Sequence, residues 1–203
     1  MMKTRILNSK KTLDDGIKRR EKHYQKYLGK MDLPIHHPTE NIHPHIDIYQ
    51  IAPTPKRPAW TLITNGMSDA RQNIPLNNKR TSGRTELLMY VVEPQKWMFD
   101  LLGGLALTPF AHKKFVHWEH LCCLEDCMIT KNTDIAHVLY MPPFFEDISF
   151  CNKLYINGDK VDPLWVVPIT GREFEQCRQD NSVQRVVENF MRIRHPRLFD
   201  IIS

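Results

Sequence analysis

The sequence lacks the segments that mark membrane and secreted proteins. No apolar run approaches the roughly 18–20 residues that a membrane-spanning helix needs. The basic N-terminus, MMKTRILNSKKTLDD, is not followed by the apolar stretch of a secretory signal. Five cysteines, an odd number, do not indicate a disulfide framework. We therefore expect a cytosolic protein with reduced thiols and no contact with a membrane.

The sequence also lacks the motifs of the common enzyme classes. Gly103-Gly104 and Gly158 do not have the spacing of a dinucleotide or nucleotide-phosphate loop. The carboxylate pair Asp14-Asp15 is explained by a helix cap and the pair Glu146-Asp147 by a loop, so neither indicates general acid catalysis. Cys151 is interpreted as a small buried hydrophobic residue. We predict a binding protein, not an enzyme, and no cofactor.

The net charge of +5 is confined to the N-terminal segment. Residues 1–40 hold ten lysines and arginines against five acids, whereas the remainder carries 18 residues of each sign. A helix is predicted from Leu13 to Leu28, behind a capping box that starts at Thr12. Its basic residues could contact an acidic partner, but a solvated helix face is the favoured interpretation. Nucleic acid is not an expected partner.

The remaining pattern predicts one α+β domain. A chain of 203 residues with 41% hydrophobic residues can bury a core. Strands are predicted over residues 45–51, 59–64, 86–92, 136–141 and 165–169. Further helices are predicted over residues 95–110, 173–179 and 183–193. Clustered strands with helices between and after them indicate a single domain with a mixed, largely antiparallel sheet flanked by helices.

Several details of this pattern are specific enough to be checked. The strand over residues 45–51 is predicted to bury one face, and residues 30–44, with three prolines, to form an extended connection. The helix over residues 95–110 is predicted to stop at Pro109. The chain divides into a basic N-terminal helix, a main domain and a C-terminal tail, over residues 1–30, 31–195 and 196–203.

One group of zinc-ligand residue types lies at His117, His120, Cys122 and Cys127. The spacings are short enough for the side chains to converge on one ion. However, no paired CxxC framework accompanies them, and Trp118 interleaves as a core residue would. Packing with incidental histidines is favoured, and a metal site there is the weaker alternative.

A second histidine group lies at His36, His37, His43 and His45. Four histidines within ten residues could chelate a transition metal if the segment folded back on itself. His45 begins a predicted strand, on the face opposite its isoleucines. An ordinary surface loop is therefore favoured, with weak metal binding as the alternative.

The most informative stretch is RPAWTLITNGMSDARQNIP, residues 57–75. It begins as a strand, because Ala59 to Thr64 is rich in aromatic and β-branched residues. It then breaks at Asn65-Gly66, a pair that tolerates a positive φ. Met67, Ser68 and Asp69 follow at the tip and give the turn a polar surface.

Charged residues arrive at this polar corner on the next segment. A buried charge without a partner is costly, so Arg84 or Arg71 is predicted to pair with Glu86 or Asp69. A structural role for the corner is favoured over contact with a partner protein. The candidate partner-binding residues are Asn65, Gly66, Met67, Ser68, Asp69, Arg84 and Glu86.

The same stretch resembles the suppressor-of-fused domain family. TLITNGMSD is followed by NIP at 73–75 and by RTELLMY at 84–90. The other matching strings keep the family's order: HIDI at 45–48, WEH at 118–120, VLYMPP at 138–143 and LWVVPITGRE at 164–173. The resemblance spans residues 36 to 190. The chain departs from the family pattern at Glu119-His120 and at the Cys122-Cys123 that follows.

This resemblance implies a mixed sheet flanked by helices and a protein-binding function. Animal members of the family sequester a transcription factor by gripping a short peptide in an extended, strand-like form. The chain resembles the stand-alone bacterial form, which is associated with polymorphic toxin systems. The resemblance therefore implies an immunity protein that binds and neutralises a partner toxin in the cytosol. The alternative is a regulatory module that sequesters a transcription regulator, or another protein, by strand addition.

Overall fold

A seven-stranded mixed sheet forms the centre of the molecule. The structure is a computed structural model that describes residues 2–37, 43–78, 81–124, 135–143 and 145–193. Its strands are β1 (Met31–His36), β2 (Asp47–Ile51), β3 (Trp60–Asn65), β4 (Thr85–Val91), β5 (Leu121–Cys123), β6 (Ile135–Met141), β7 (Tyr155–Ile156), β8 (Asp159–Lys160) and β9 (Asp162–Thr170). Its helices are α1 (Met2–Tyr27), α2 (Lys96–Ala111), α3 (Ile148–Asn152), α4 (Gly171–Asp180) and α5 (Gln184–Ile193).

The strand order in the sheet is β1-β2-β3-β4-β9-β6-β5, and β7 and β8 form a separate hairpin. β4 and β9 run parallel at the centre, whereas the other neighbouring strands of the sheet are antiparallel. A parallel pair needs a crossover, and the segment between β4 and β9 supplies one that contains α2, α3 and the hairpin. The predicted α+β domain with a mixed, largely antiparallel sheet is confirmed.

Both faces of the sheet are buried, which the sequence pattern of β2 did not indicate. On one face, Tyr49 and Ile51 belong to a core cluster that also includes side chains of α1, α3, α4 and α5. On the other, Ile46 and Ile48 pack against α2. The prediction of one buried face for residues 45–51 is therefore wrong, because helices cover the sheet on both sides.

Three predicted boundaries also differ from the structure. α1 begins at Met2, so the predicted start at Leu13 and the capping box at Thr12 are wrong, because both positions lie inside the helix. Residues 31–36 form β1 and are not only an extended connection; Pro34 is tolerated because β1 is an edge strand, where a missing N–H costs little. α2 runs through Gly103-Gly104 and passes Pro109 to end at Ala111. Pro109 lies in the last turn, where it removes only one hydrogen bond. The short elements β5, α3 and the β7–β8 hairpin were not predicted.

The first helix lies against the sheet and contributes to its core. Tyr24 and Leu28 are 0% and 1% exposed and belong to the same core cluster as Tyr49. Arg19, Lys22 and Lys26 remain exposed. The division of the chain into residues 1–30 and 31–195 stays a prediction, and the tail at 196–203 lies outside the described residues.

Candidate functional site

The polar corner predicted after β3 is a tight turn that requires glycine. β3 ends at Asn65, Gly66 takes a φ of 130°, and a single 3-10 turn follows over Met67–Asp69. A Cβ on Gly66 would lie 2.0 Å from the carbonyl oxygen of His45. Since only glycine combines this φ with so close an approach, the turn is fixed by its sequence.

A glutamate lies beneath the turn and receives its hydrogen bonds. Glu86 on β4 is 1% exposed. Its carboxylate accepts from the backbone N–H of Gly66 at 3.2 Å and from that of Ser68 at 3.0 Å. The hydroxyls of Ser68 and Thr64 each donate to it at 2.6 Å. Four donors therefore converge on one buried carboxylate and hold the turn against β4.

An arginine from α1 closes the corner. The Arg20 side chain is fully buried. It donates to both carboxylate oxygens of Asp69, at 2.7 and 2.8 Å, and to the Ser68 hydroxyl at 3.1 Å. Its Nε also donates to the Asn65 side chain and lies 3.6 Å from Glu86 Oε1. A single guanidinium thus joins the first helix to the turn and to β4.

The electrostatics of this buried group depend on mutual pairing. Burial raises the pKa of Glu86, whereas the charge of Arg20 and the hydrogen bonds from Ser68 and Thr64 oppose that rise. Burial alone would lower the pKa of Arg20, but the charges of Glu86 and Asp69 raise it. Each charge is tolerated in the interior because its partners are present.

The geometry shows that the predicted ion pairs of Arg84 or Arg71 with Glu86 or Asp69 are wrong. Arg84 donates to the backbone carbonyls of Ser68 and Asp69, at 2.7 and 3.0 Å, and not to a carboxylate of the corner. Both Arg84 and Arg71 pair with Asp159 of the β7–β8 hairpin. The cation that pairs with Glu86 and Asp69 is Arg20, which the sequence interpretation missed. The signal was present, because Arg20 precedes Tyr24 and Leu28 at four-residue spacing on one helix face.

The candidate partner-binding residues are therefore brought together, but they face one another. Among them, Asn65, Ser68 and Glu86 are at most 1% exposed, and Arg84 is 8% exposed. The Asp69 side chain reaches the surface at 11%. Their chemistry is that of an internal joint between α1, β3 and β4. Contact of these seven residues with a partner stays a prediction.

An open apolar cleft lies elsewhere on the molecule, beside α3. Its volume is about 560 Å³. The lining comprises Trp118, Pro142, Pro143, Glu146, Ile148, Cys151, Asn152, Lys160, Asp162, Pro163 and Leu164. Ile148 is 72% exposed and Trp118 is 40% exposed, so the interpretation of Trp118 as a core residue is wrong. Exposed large apolar side chains with charged neighbours are typical of protein-binding surfaces.

The cleft does not contain the parts of a thiol or acid catalyst. Burial raises the pKa of the Cys151 thiol to about 11, and the described lining holds no imidazole that could deprotonate it. Glu146 accepts a hydrogen bond from Tyr90 at 2.7 Å and lies 3.6 Å from Arg57. That carboxylate is therefore engaged in the structure and is not poised above a reactant.

The two histidine groups behave differently. The rings of His117 and His120 stack with centroids 5.3 Å apart, but in the described part of the chain their ligand atoms do not gather with Cys122 around one point. Cys127 lies outside the described residues. In the second group, His37 and His45 lie together with Asp47, a residue that the sequence interpretation did not include.

None of the helices in the described ranges combines the length and the apolar composition needed to cross a bilayer.

Comparisons with known proteins identify a matching family and solved structures with a similar fold. The family model described as Suppressor of fused protein matches residues 43–201. The chain is similar to a suppressor-of-fused homologue from Neisseria gonorrhoeae FA 1090, solved at 1.40 Å, with a TM-score of 0.68 at 15% identity over 91% of this chain and 93% of that one. It is also similar to a chain of the Sufu–Fu complex, with a TM-score of 0.54 at 15% identity over 81% and 79%. A search of the curated proteins finds no match.

At 15% identity, the solved structures establish a shared fold. The family model goes further, because it covers well over half of the chain and includes the turn over residues 65–69, Glu86 and the cleft. The expected resemblance is confirmed, and the chain belongs to the suppressor-of-fused protein family.

Proposed function

We propose that this chain is a non-catalytic binding protein that captures a partner protein at the cleft beside α3. We further propose that the partner is a toxin, which the chain neutralises in the cytosol by covering its surface. The observation that carries the proposal is the exposure of Trp118 and Ile148 on the lining of one apolar cleft.

The composition of the cleft suits a protein ligand. Tryptophan is among the residues that dominate binding energy when they become buried in an interface, and Trp118 is partly exposed before any partner binds. Lys160 and Asp162 also line the cleft and form an ion pair at 3.4 Å. An apolar centre with a charged rim is the usual anatomy of a protein interface.

Binding without turnover is supported by the chemistry of the described residues. The raised pKa of Cys151 keeps its thiol protonated, and the titratable groups of the corner are buried and paired. A binding protein needs no more than a surface, and the fold supplies one.

A toxin partner is supported by the bacterial character of the resemblance. The similarity to the Neisseria protein extends over 93% of that chain, which fits the stand-alone form associated with toxin systems. Fold alone does not specify a function. The identity of the partner is therefore the part of the proposal that experiment must supply.

Strand addition by a regulatory module is the second candidate. The sheet ends in β1 on one side and β5 on the other, and outer strands are where an extended peptide adds. The solved Sufu–Fu complex is an assembly of a protein with this fold and a protein partner. A peptide that binds β1 or β5 with full affinity, and without any need for Trp118, would favour this candidate.

The test uses the purified chain and any toxin domain that is encoded beside its gene. We expect a 1:1 complex by calorimetry, and we expect the chain to abolish the toxin's activity at equimolar ratio. Trp118→Ala and Ile148→Asp should each weaken binding by more than about tenfold, because each removes an apolar contact at the interface centre. The matched control is Leu76→Asp, since Leu76 is fully exposed but does not line the cleft.

Each outcome separates the alternatives. Full affinity in both cleft variants would show that the cleft is not the contact surface. Binding without loss of toxin activity would exclude neutralisation. No complex with the neighbouring toxin, together with tight binding of a transcription regulator, would replace the immunity function with the regulatory one.

A further inference from the structure

Three metal-ligating side chains meet beside the closed corner. His37 Nδ1 lies 2.7 Å from Asp47 Oδ1, and His45 Nε2 lies 2.9 Å from the same oxygen. All three ligand atoms lie within 4.8 Å of one another. Two imidazoles and one carboxylate therefore converge on one point at the surface.

The fold positions these three residues firmly. His37 directly follows the edge strand β1, and Asp47 is the first residue of β2, where it pairs with Asn65 of β3. The backbone of His45 packs against Gly66, as the 2.0 Å clash of an added Cβ shows. The ligand set is thus fixed by the sheet and by the glycine of the corner.

The charge balance of the group favours a cation. The Asp47 side chain is only 12% exposed, and within the described ranges its ion-pair partners are these two imidazoles. No lysine or arginine of the described residues pairs with this carboxylate, so no permanently charged side chain neutralises it. A divalent ion would supply the positive charge.

We propose that His37, His45 and Asp47 form a binding site for Zn²⁺. Zinc accepts imidazole nitrogen and carboxylate oxygen at about 2.0–2.2 Å in a tetrahedral arrangement, which sets neighbouring ligand atoms about 3.3 Å apart. The observed 2.7 and 2.9 Å separations need only a small opening. The exposed fractions of 61% for His37 and 48% for His45 leave both rings free to make this adjustment.

The bound ion would join the end of β1 to the start of β2. Three protein ligands leave one tetrahedral position for water or for a side chain of a partner. Since β1 is an outer strand of the sheet, the ion would act as a clamp on the edge that is otherwise held by a single neighbouring strand.

The chain offers a matched control in the adjacent residue. His36 lies next to His37, but its Nε2 is 3.8 Å from Asp100 and its ring packs on Phe99 with centroids 5.2 Å apart. It therefore shares the sequence neighbourhood and not the cluster. His36→Gln should leave zinc binding unchanged.

The experiment titrates the full chain with Zn²⁺ by calorimetry after removal of metal by a chelator. Cys122→Ser and Cys123→Ser are introduced first, because these thiols are partly or fully exposed and would bind zinc on their own. We expect one equivalent to bind in this background. His37→Gln and His45→Gln should each weaken binding by at least about 10- to 100-fold, the loss known for residues that only support a metal ligand.

Thermal unfolding provides the second measurement. Excess Zn²⁺ should raise the Tm of the background protein and of His36→Gln, and it should not raise the Tm of the other two variants. Unfolding without zinc verifies that every variant is folded. The proposal is overturned if no stoichiometric zinc binds, if His36→Gln weakens binding as much as His37→Gln, or if His37→Gln and His45→Gln bind zinc as the background does.

Discussion

The corner after β3 and the cleft beside α3 differ in the polarity and the exposure of their side chains. At the corner, Arg20 and Glu86 are charged and fully enclosed, and each finds its partners inside the protein. At the cleft, Trp118 and Ile148 are apolar and remain exposed. The corner therefore meets the demands of folding, whereas the cleft leaves apolar surface that another molecule can cover.

The segment that is most easily recognised in the sequence is therefore not the one whose side chains are accessible at the surface. The string TLITNGMSD identifies the family, yet four of its polar side chains are internal partners of Arg20 or Glu86, namely Thr64, Asn65, Ser68 and Asp69. The cleft draws its lining from four separate parts of the chain, and three of the family strings contribute only one or two residues each to it: Trp118, the pair Pro142-Pro143, and Leu164. A motif is easily recognised when a local backbone geometry requires certain residue types. Such a requirement comes from the fold.

The largest effect is expected from Arg20→Ala. Removal of this guanidinium leaves Glu86 buried without a counter-charge and Asp69 without its bidentate partner. Breaking a buried pair in this way costs about 3–5 kcal/mol. Urea unfolding of the variant should show this loss of unfolding free energy.

Arg19→Ala is the matched control for that substitution. Arg19 is exposed on the same helix, so its loss should change stability by less than about 0.5 kcal/mol. Equal effects of the two substitutions would show that α1 does not hold the corner closed.

Gly66→Ala should have the next largest effect. The added Cβ would meet the His45 carbonyl oxygen at 2.0 Å, in a backbone conformation with a φ of 130°. Strain of this kind costs about 1–3 kcal/mol, and displacement of the His45 backbone adds to it. Thermal unfolding would measure the change as a lower Tm.

Gly104→Ala is the matched control for Gly66→Ala, because an added Cβ is tolerated there. It lies inside α2, and beyond its chain neighbours and the helix backbone an added Cβ would meet no atom within 4 Å, so the same substitution should stabilise the protein by about 0.5–1 kcal/mol. A Gly66→Ala variant as stable as the parent would mean that the turn can relax, and that the corner is less fixed than the structure indicates.

A smaller effect concerns acid stability at the outer side of the corner. Hydrogen bonds from Arg71 and Arg84 hold the pKa of Asp159 well below its usual range. An unfolded aspartate titrates near pH 3.9, so below about pH 4 the unfolded chain binds this proton more readily than the folded one. The stability supplied by Asp159 is therefore present above that pH and is lost as the pH falls.

Asp159→Asn should remove this contribution. Urea unfolding across a series of acidic pH values should show a shallower loss of stability for the variant than for the parent. Arg71→Gln should give an intermediate result, because Arg84 still donates to Asp159 at 2.8 Å. If the unfolding free energies of the parent and of Asp159→Asn fell identically at acidic pH, the pairing of Asp159 with Arg71 and Arg84 would be contradicted.

The sequence predicts much of the fold, because its signals are local. The antiparallel pairing of β2 with β3 follows from two apolar strands across a short proline-rich link, and the turn at Gly66 follows from its dipeptide. No local pattern predicts the partner of Glu86, since Arg20 lies 66 positions earlier in the chain and competes with nearer arginines.

The cleft and the histidine cluster were harder to predict for a related reason. Trp118 and Cys151 come together only after β6 and α3 are placed, and α3 is too short to show a periodic pattern. Asp47 lies within the strand predicted over residues 45–51, and its position beside His37 depends on where β1 ends. Long-range register decides both sites, and no local residue pattern encodes it.

The smallest expected effect leaves stability unchanged and reports on the cleft directly. Cys151 lines the cleft, and burial raises the pKa of its thiol to about 11. Only the thiolate reacts with iodoacetamide, so at neutral pH Cys151 should be modified roughly two orders of magnitude more slowly than an ordinary cysteine. Raising the pH should accelerate the reaction, as followed by mass spectrometry of the intact chain and its peptides.

A partner that occupies the cleft should slow this reaction further, whereas modification of the exposed Cys123, which does not line the cleft, reports any general effect of the complex. Protection of Cys151 alone would place the partner between Trp118 and Ile148. If a saturating partner left the Cys151 rate unchanged, the cleft would be an uncovered apolar surface. The cleft would then not be the binding surface, and the outer strands β1 and β5 would become the surfaces to test.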